Sequence, residues 1–135
     1  MTKEMMQIDN QIIIEIGKSI LRCKKVVENE WDLLAVVFDV VEGHTANSGF
    51  LYKGNEVRPM TARIADDMLR LDNQIESLRE DIYQQTGSKF KQLLVQMQKE
   101  TGQIKIQFEF DDLQRWSFSP RNLPTIKEAL RPDFS

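Results

Sequence analysis

The feature that most constrains the fold is a strict alternation of apolar and polar residues from Ile104 to Phe110. Successive side chains of a β-strand point to opposite faces of a sheet, so this alternation predicts a half-buried strand. The apolar positions would share the buried face: Ile104, Ile106, Phe108, Phe110. The polar positions would face water or a partner: Lys105, Gln107, Glu109. Asp111 and Asp112 follow directly, and they predict an acidic corner at the end of the strand.

Three other segments read as helices. Residues 8 to 28 carry an apolar stripe at spacings of three and four, which is typical of a helix with one buried side. This stripe comprises Ile8, Ile12, Ile16, Ile20, Cys23, Val27. Residues 61 to 86 repeat the pattern, with Thr61 as a predicted N-cap and Gly87 as a predicted C-cap. A short third helix is predicted at about residues 124 to 130.

The remaining elements are predicted strands. Residues 31 to 42 are apolar at almost every position, which indicates an inner strand covered on both faces. Residues 50 to 53 would return as a hairpin, Val57 would begin a short third strand, and residues 90 to 98 would pair with the alternating strand. The element order is therefore α-β-β-(β)-α-β-β-α. It predicts an α+β fold with a single antiparallel sheet of four to five strands and helices mainly on one face.

Length and composition fit one domain spanning residues 1 to 135, with a hydrophobic fraction of 41% and a charged fraction of 29%. Cys23 is the only cysteine, which excludes an internal disulfide and a multi-thiolate zinc site within one chain. Its place on the helical stripe predicts a buried structural thiol. The first residues do not resemble a secretory signal, and no apolar run reaches the about 20 residues of a membrane helix. We therefore expect a cytoplasmic protein without a membrane segment.

The sequence contains no phosphate-binding, dinucleotide-binding, serine-hydrolase or zinc-peptidase motif, and His44 stands alone in a predicted turn. Three carboxylate pairs could gather a divalent cation: Asp39 with Glu42, Asp66 with Asp67, Asp111 with Asp112. A helix start favours acidic residues such as Asp66 and Asp67, and strand ends commonly carry polar residues, so structural roles are favoured. Asp39 interrupts an apolar strand and requires either a structural partner or an exposed binding face. We predict no enzyme activity, no metal and no cofactor.

The charge distribution bears on the kind of partner. The formal net charge is −3, and residues 31 to 86 hold five basic residues against ten acidic ones. Nucleic-acid binding needs clustered lysine and arginine, so this balance argues against it and mildly favours a basic partner. Three aromatic residues could anchor such a partner or close the core: Trp31, Trp116, Phe118.

Four local patterns together resemble the YezG-like family of antitoxins, which are immunity proteins of polymorphic and contact-dependent toxin systems. They are Glu30-Trp31 after the first helix, the strand at residues 48 to 53, the Gly-x-Ile-x-Ile-x-Phe-x-Phe-Asp-Asp segment at 102 to 112, and Ser119-Pro120-Arg121. The resemblance implies a protein that binds a cognate toxin domain, often a nuclease, and blocks its active site or substrate surface. It implies no catalytic or metal-binding residue.

The contact candidates come from the predicted polar sheet face and the acidic corner. They are Asp39, Glu42, Lys105, Gln107, Glu109, Asp111, Asp112 and Trp116. We expect a monomer that binds its toxin one to one, since an acidic inhibitor suits the basic substrate surface of a nuclease. The alternative is a small-ligand-binding or accessory α+β domain, with a pocket between the sheet and the helices.

Overall fold

The computed structural model describes residues 10–41 and 44–134. Its centre is one antiparallel sheet of five strands, in chain order β1 (Leu33–Val41), β2 (His44–Lys53), β3 (Glu56–Met60), β4 (Gln92–Gln98) and β5 (Ile104–Glu109). Their order across the sheet is β3-β2-β1-β4-β5. Among the described residues, four helices accompany the sheet: α1 (Asn10–Leu21), α2 (Lys24–Glu28), α3 (Arg70–Thr86) and α4 (Leu123–Ala129). The predicted α+β class with one antiparallel sheet is confirmed.

The alternating strand behaves as its sequence predicts. β5 pairs with β4, and the apolar side chains of β5 and of Phe110, which follows it, pack on the core beneath the helices: Ile104, Ile106, Phe108, Phe110. β5 lies at the edge of the sheet, and no strand of the described residues pairs with its outer side.

The apolar strand β1 occupies the centre of the sheet, between β2 and β4. Side chains of β1 fill both cores: Leu34, Val36, Phe38 and Val40 on one face, Ala35 and Val37 on the other. The prediction of an inner strand covered on both faces is confirmed.

The first hairpin departs from the prediction, because β2 begins at His44 instead of residue 50. Thr45 to Ser48 pair with β1 in unbroken register, so the segment predicted as a long turn is mostly strand. Gly49 permits this pairing, since a Cβ there would lie 2.4 Å from the carbonyl oxygen of Ala35. β3 contains Pro59 and forms the other sheet edge, where a proline without an N–H is tolerated.

The predicted helix 8 to 28 is broken at Cys23, which has extended backbone angles. The Lys24 amide donates to the carbonyl oxygen of Arg63 at 3.2 Å, a long-range bond that no local pattern reveals. The break shifts the phase of the second piece, so Val26 is buried and the predicted stripe residue Val27 is 69% exposed. Cys23 itself is fully buried, and burial raises the pKa of its thiol to about 11. Residue Ile8 lies outside the described part of the chain.

The second predicted helix, 61 to 86, begins only at Arg70. The side-chain amide of Asn47 holds Ala62 as a neighbouring strand would, accepting from its N–H at 2.7 Å and donating to its carbonyl oxygen at 3.0 Å. Asp66 and Asp67 therefore lie in the preceding turns and not in a helical first turn, which corrects their predicted position. The C-cap prediction is confirmed, because Gly87 is left-handed and its N–H donates to Tyr83.

The helix face of the sheet is the side covered by α1, α2 and α3. Four residues of α3 at helical spacing are buried here: Leu71, Ile75, Leu78, Ile82. α1 approaches the sheet closely at Gly17, where a Cβ would lie 3.2 Å from Cδ1 of Ile104. Three of the four helices contribute to this core, so the helices do lie mainly on one face.

The opposite side, which we call the C-terminal face, is covered by the C-terminal segment, residues 113–134, including α4. Trp116 and Leu130 of this segment are buried against β1, β2 and β4, and Phe118 stacks on Phe50 at 4.7 Å between ring centroids. The C-terminal segment therefore covers the centre of this face, whereas Lys105 and Gln107 of β5 stay exposed. None of the helices described is both long enough and apolar enough to cross a bilayer.

Candidate functional site

The predicted contact residues of β5 divide into free and engaged side chains. Lys105 and Gln107 are exposed, as expected. The Lys105 ammonium donates to the carbonyl oxygen of Asp133 and lies 4.7 Å from the centroid of the Phe134 ring. Lys105 therefore fastens the end of the C-terminal segment, whereas Gln107 is left accessible to a partner.

Glu109 is engaged in the turn that follows β5. Its carboxylate accepts from the backbone N–H groups of Asp111 at 3.0 Å and Asp112 at 3.1 Å, and from Arg115 at 2.9 Å. The side chain retains only 13% exposure. The two backbone donors and the Arg115 guanidinium lower the pKa of this carboxyl to about 2. Glu109 therefore stabilises the turn that follows β5.

The other two residues of the acidic corner, Asp111 and Asp112, are exposed. Asp112 accepts from the backbone N–H of Gln114 at 2.8 Å, and the carbonyl oxygen of Asp111 accepts from Lys91 at 3.2 Å. Their carboxylates face solvent beside β5, so these two residues and Gln107 form the accessible part of the predicted contact set.

Asp39 lies half-buried on the C-terminal face and accepts a hydrogen bond from Gln92. Gln92 is fully buried, donates also to Ser117 at 3.2 Å, and accepts from the backbone N–H of Trp116 at 2.9 Å. Asp39 thus has the structural partner that a carboxylate within an apolar strand requires.

Trp116 is 6% exposed and packs in the core of the C-terminal face. The Arg115 guanidinium carbon lies 4.7 Å from the centroid of the Trp116 ring and covers the ring further. Trp116 therefore supports the surface from beneath and offers little contact area of its own. Glu42, the remaining predicted contact residue, lies outside the described residues.

A second acidic surface was not predicted as a site. Asp72, Glu76 and Glu80 follow one another at intervals of four residues along α3, so they form one ridge on the helix surface. Within the described chain, none of the three forms an ion pair; Glu76 accepts from Thr45 and Glu80 accepts from Gln84. We call these three residues the acidic ridge. The four-residue spacing in the sequence could have identified this ridge. The excess of acidic over basic residues in 31 to 86 did not locate it.

Large apolar side chains are exposed at one end of the acidic ridge. Met68 is 59% exposed and Leu69 is 65% exposed. Both line a cavity of about 320 Å³ together with Asp72 and Arg63. Exposed apolar area beside unpaired charge is the arrangement found at protein interfaces, where an apolar centre is bordered by polar groups.

The carboxylate pairs do not assemble with other ligands in the described ranges. Across residues 10–41 and 44–134, no group of three or more His, Cys, Asp or Glu side chains is placed to hold a metal ion.

The sequence was also compared with known proteins. No model of a protein family matches the chain, and no curated protein is significantly similar to it.

Proposed function

We propose that this protein is a cytoplasmic immunity protein, which binds a toxin domain of the nuclease class one to one and neutralises it without catalysis. The observation that carries the proposal is the acidic ridge, whose three carboxylates lack cationic partners in the described chain. A nuclease domain presents a basic surface to its substrate, and a ridge of opposite charge would compete for that surface.

The exposed residues Met68 and Leu69 supply apolar contact area beside the acidic ridge. Electrostatic attraction mainly accelerates and orients association, while burial of apolar side chains slows dissociation. An inhibitor needs both properties, and the two kinds of residue lie side by side at the start of α3. The acidic corner offers a second surface of the same sign through Asp111 and Asp112.

The test pairs this protein with the candidate toxins. Each reading frame adjacent to its gene is expressed alone and together with this protein, and growth is scored. The proposal predicts one toxic neighbour whose effect this protein abolishes, followed by purification of a one-to-one complex. A set of neighbours without toxicity, or toxicity that persists in the presence of this protein, would refute it.

Three sets of variants then locate the interface. The ridge variant Asp72→Asn/Glu76→Gln/Glu80→Gln should lower the association rate about ten-fold or more at low ionic strength, because steering by charge contributes this much. The matched control Glu28→Gln/Glu30→Gln/Glu100→Gln removes the same charge from exposed positions elsewhere and should retain most of the rate. The corner variant Asp111→Asn/Asp112→Asn should likewise retain it. A ridge variant that associates normally while the corner variant fails would move the interface to β5.

A further inference from the structure

A groove of about 490 Å³ opens where β3 ends at Met60 and α2 begins at Lys24. Lys24, Lys25 and Arg63 line it, and no acidic residue is among the described residues that do so. The side chains of these three cations form no hydrogen bond or ion pair within the described chain. In a protein of net charge −3, three cations are the only charged residues among the described residues that line this groove. We call it the cationic groove.

The backbone that carries these cations is held by tertiary contacts. The Lys24 amide donates to the carbonyl oxygen of Arg63, which fixes the start of α2 against residues 61–65. Asn47 brackets the neighbouring Ala62 with two hydrogen bonds. The two walls of the groove are therefore joined to each other and to the sheet, so the fold fixes the backbone positions that carry the cations.

The rest of the lining is largely apolar. Pro59, Met60 and Phe118 contribute to it, and one ring of the stacked Phe118–Phe50 pair reaches the groove. Ser48 and Thr61 add hydroxyl groups at the same place. A site that accepted only an inorganic anion would have no need of this apolar surface, whereas binding sites for organic ligands combine an apolar lining with a few polar groups.

We infer that the cationic groove is a binding site for a small organic phosphomonoester, with the phosphate among Lys24, Lys25 and Arg63 and the apolar body against Pro59, Met60 and Phe118. A phosphomonoester carries close to two negative charges at neutral pH, which suits three cations better than a single carboxylate does. The volume lies within the usual range of small-ligand sites. This inference does not rest on the proposed function, because it needs no toxin; Thr61 and Arg63 line both the cationic groove and the cavity beside the acidic ridge.

The probe is phenyl phosphate, titrated into the ¹⁵N-labelled protein at constant ionic strength while amide chemical shifts are recorded. We expect saturable shifts confined to residues 24–25, 48–49, 60–65 and 118. Inorganic phosphate and phenol, titrated separately, should each bind about ten-fold or more weakly, because each provides only one part of the recognition. Equal affinity for inorganic phosphate would refute an organic ligand, and shifts scattered over the surface would refute the site.

A pair of variants distinguishes binding in the groove from a general effect of charge. Lys25→Gln/Arg63→Gln should weaken phenyl phosphate binding about ten-fold or more, since charge-assisted hydrogen bonds are lost. Lys18→Gln/Lys89→Gln removes the same charge from exposed positions outside the groove and should leave the affinity unchanged. Equal weakening by both variants would identify a general counterion effect and overturn the inference. The titration requires no toxin, so its failure and a failure of the immunity proposal are distinguishable.

Discussion

On the helix face of the sheet, α1 and α3 are held by apolar side chains that recur at helical spacing, such as Ile75 and Leu78. On the C-terminal face, polar side chains of the sheet bond to the backbone of the C-terminal segment, both at the end of α4 and in the irregular residues before it. Tyr52 donates to the carbonyl oxygen of Lys127 at 2.7 Å, and Gln96 donates to that of Leu130 at 2.9 Å. Gln92 accepts from the amide of Trp116.

The difference follows from how the segments that cover each face satisfy their own backbone hydrogen bonds. A helix satisfies its own backbone and needs only apolar burial to stay in place. Residues 113–122 have little regular structure, and the last carbonyl groups of α4 lack partners within the helix, so these buried backbone groups require partners from the sheet. The helix face is therefore held mainly by apolar packing, whereas the C-terminal face combines apolar packing with specific hydrogen bonds, and substitutions can separate the two contributions.

Truncation of the helix face should have the largest effect. Leu78 is fully buried, and Leu78→Ala should lower the free energy of unfolding by about 3 kcal/mol, because transfer energy is lost and a cavity is left. Chemical denaturation monitored by circular dichroism measures this loss. The control Leu113→Ala shortens a leucine that is 51% exposed and should cost far less. Similar losses for both leucines would show that the helix face does not depend on packing.

Removal of the polar contacts of Gln92 should have a smaller and more local effect. Gln92→Met keeps a similar volume but leaves the Trp116 amide without its acceptor and Asp39 without its donor, at an expected cost of about 2 kcal/mol. In Gln92→Met, amide hydrogen exchange should accelerate relative to the wild type more in residues 113–134 than in α3, because the covering segment opens first.

The matched control for this variant is Gln107→Met, on the exposed side of the neighbouring strand, where a change of about 0.5 kcal/mol or less is expected. Uniform acceleration of exchange across α3 and the C-terminal segment in Gln92→Met would contradict a separate role for the polar contacts.

The same contrast explains which elements the sequence predicts. Period-two alternation placed β5 and its buried side chains correctly, because that signal is local. The break at Cys23 and the late start of α3 depend on bonds from Arg63 and Asn47 to distant residues, which no window of sequence contains. Apolar periodicity continued through both segments, so the helices were predicted too long.

The acidic ridge and the cationic groove also differ in whether the sequence could have predicted them. The acidic ridge could have been read from the four-residue spacing of Asp72, Glu76 and Glu80. The cationic groove could not, because Lys25 and Arg63 meet only through the tertiary contact at the start of α2. The burial of Trp116 likewise depends on the course of the C-terminal segment, which lacks a periodic signal.

The smallest effect is expected at Glu109, whose carboxylate forms the turn from β5 into the C-terminal segment. Its pKa falls from 4.5 to about 2 in the folded state, so the stabilisation is complete above the unfolded value and is lost as the pH falls towards about 2. Glu109→Gln should cost about 1 kcal/mol at neutral pH, because the amide keeps one acceptor oxygen but loses its charge. Unfolding measured at several pH values should show wild type and variant converging below pH 4.5. A difference that stays constant into acid would mean that the charge of Glu109 does not hold this turn, and the cover of the C-terminal face would then depend on Gln92, Gln96 and Tyr52.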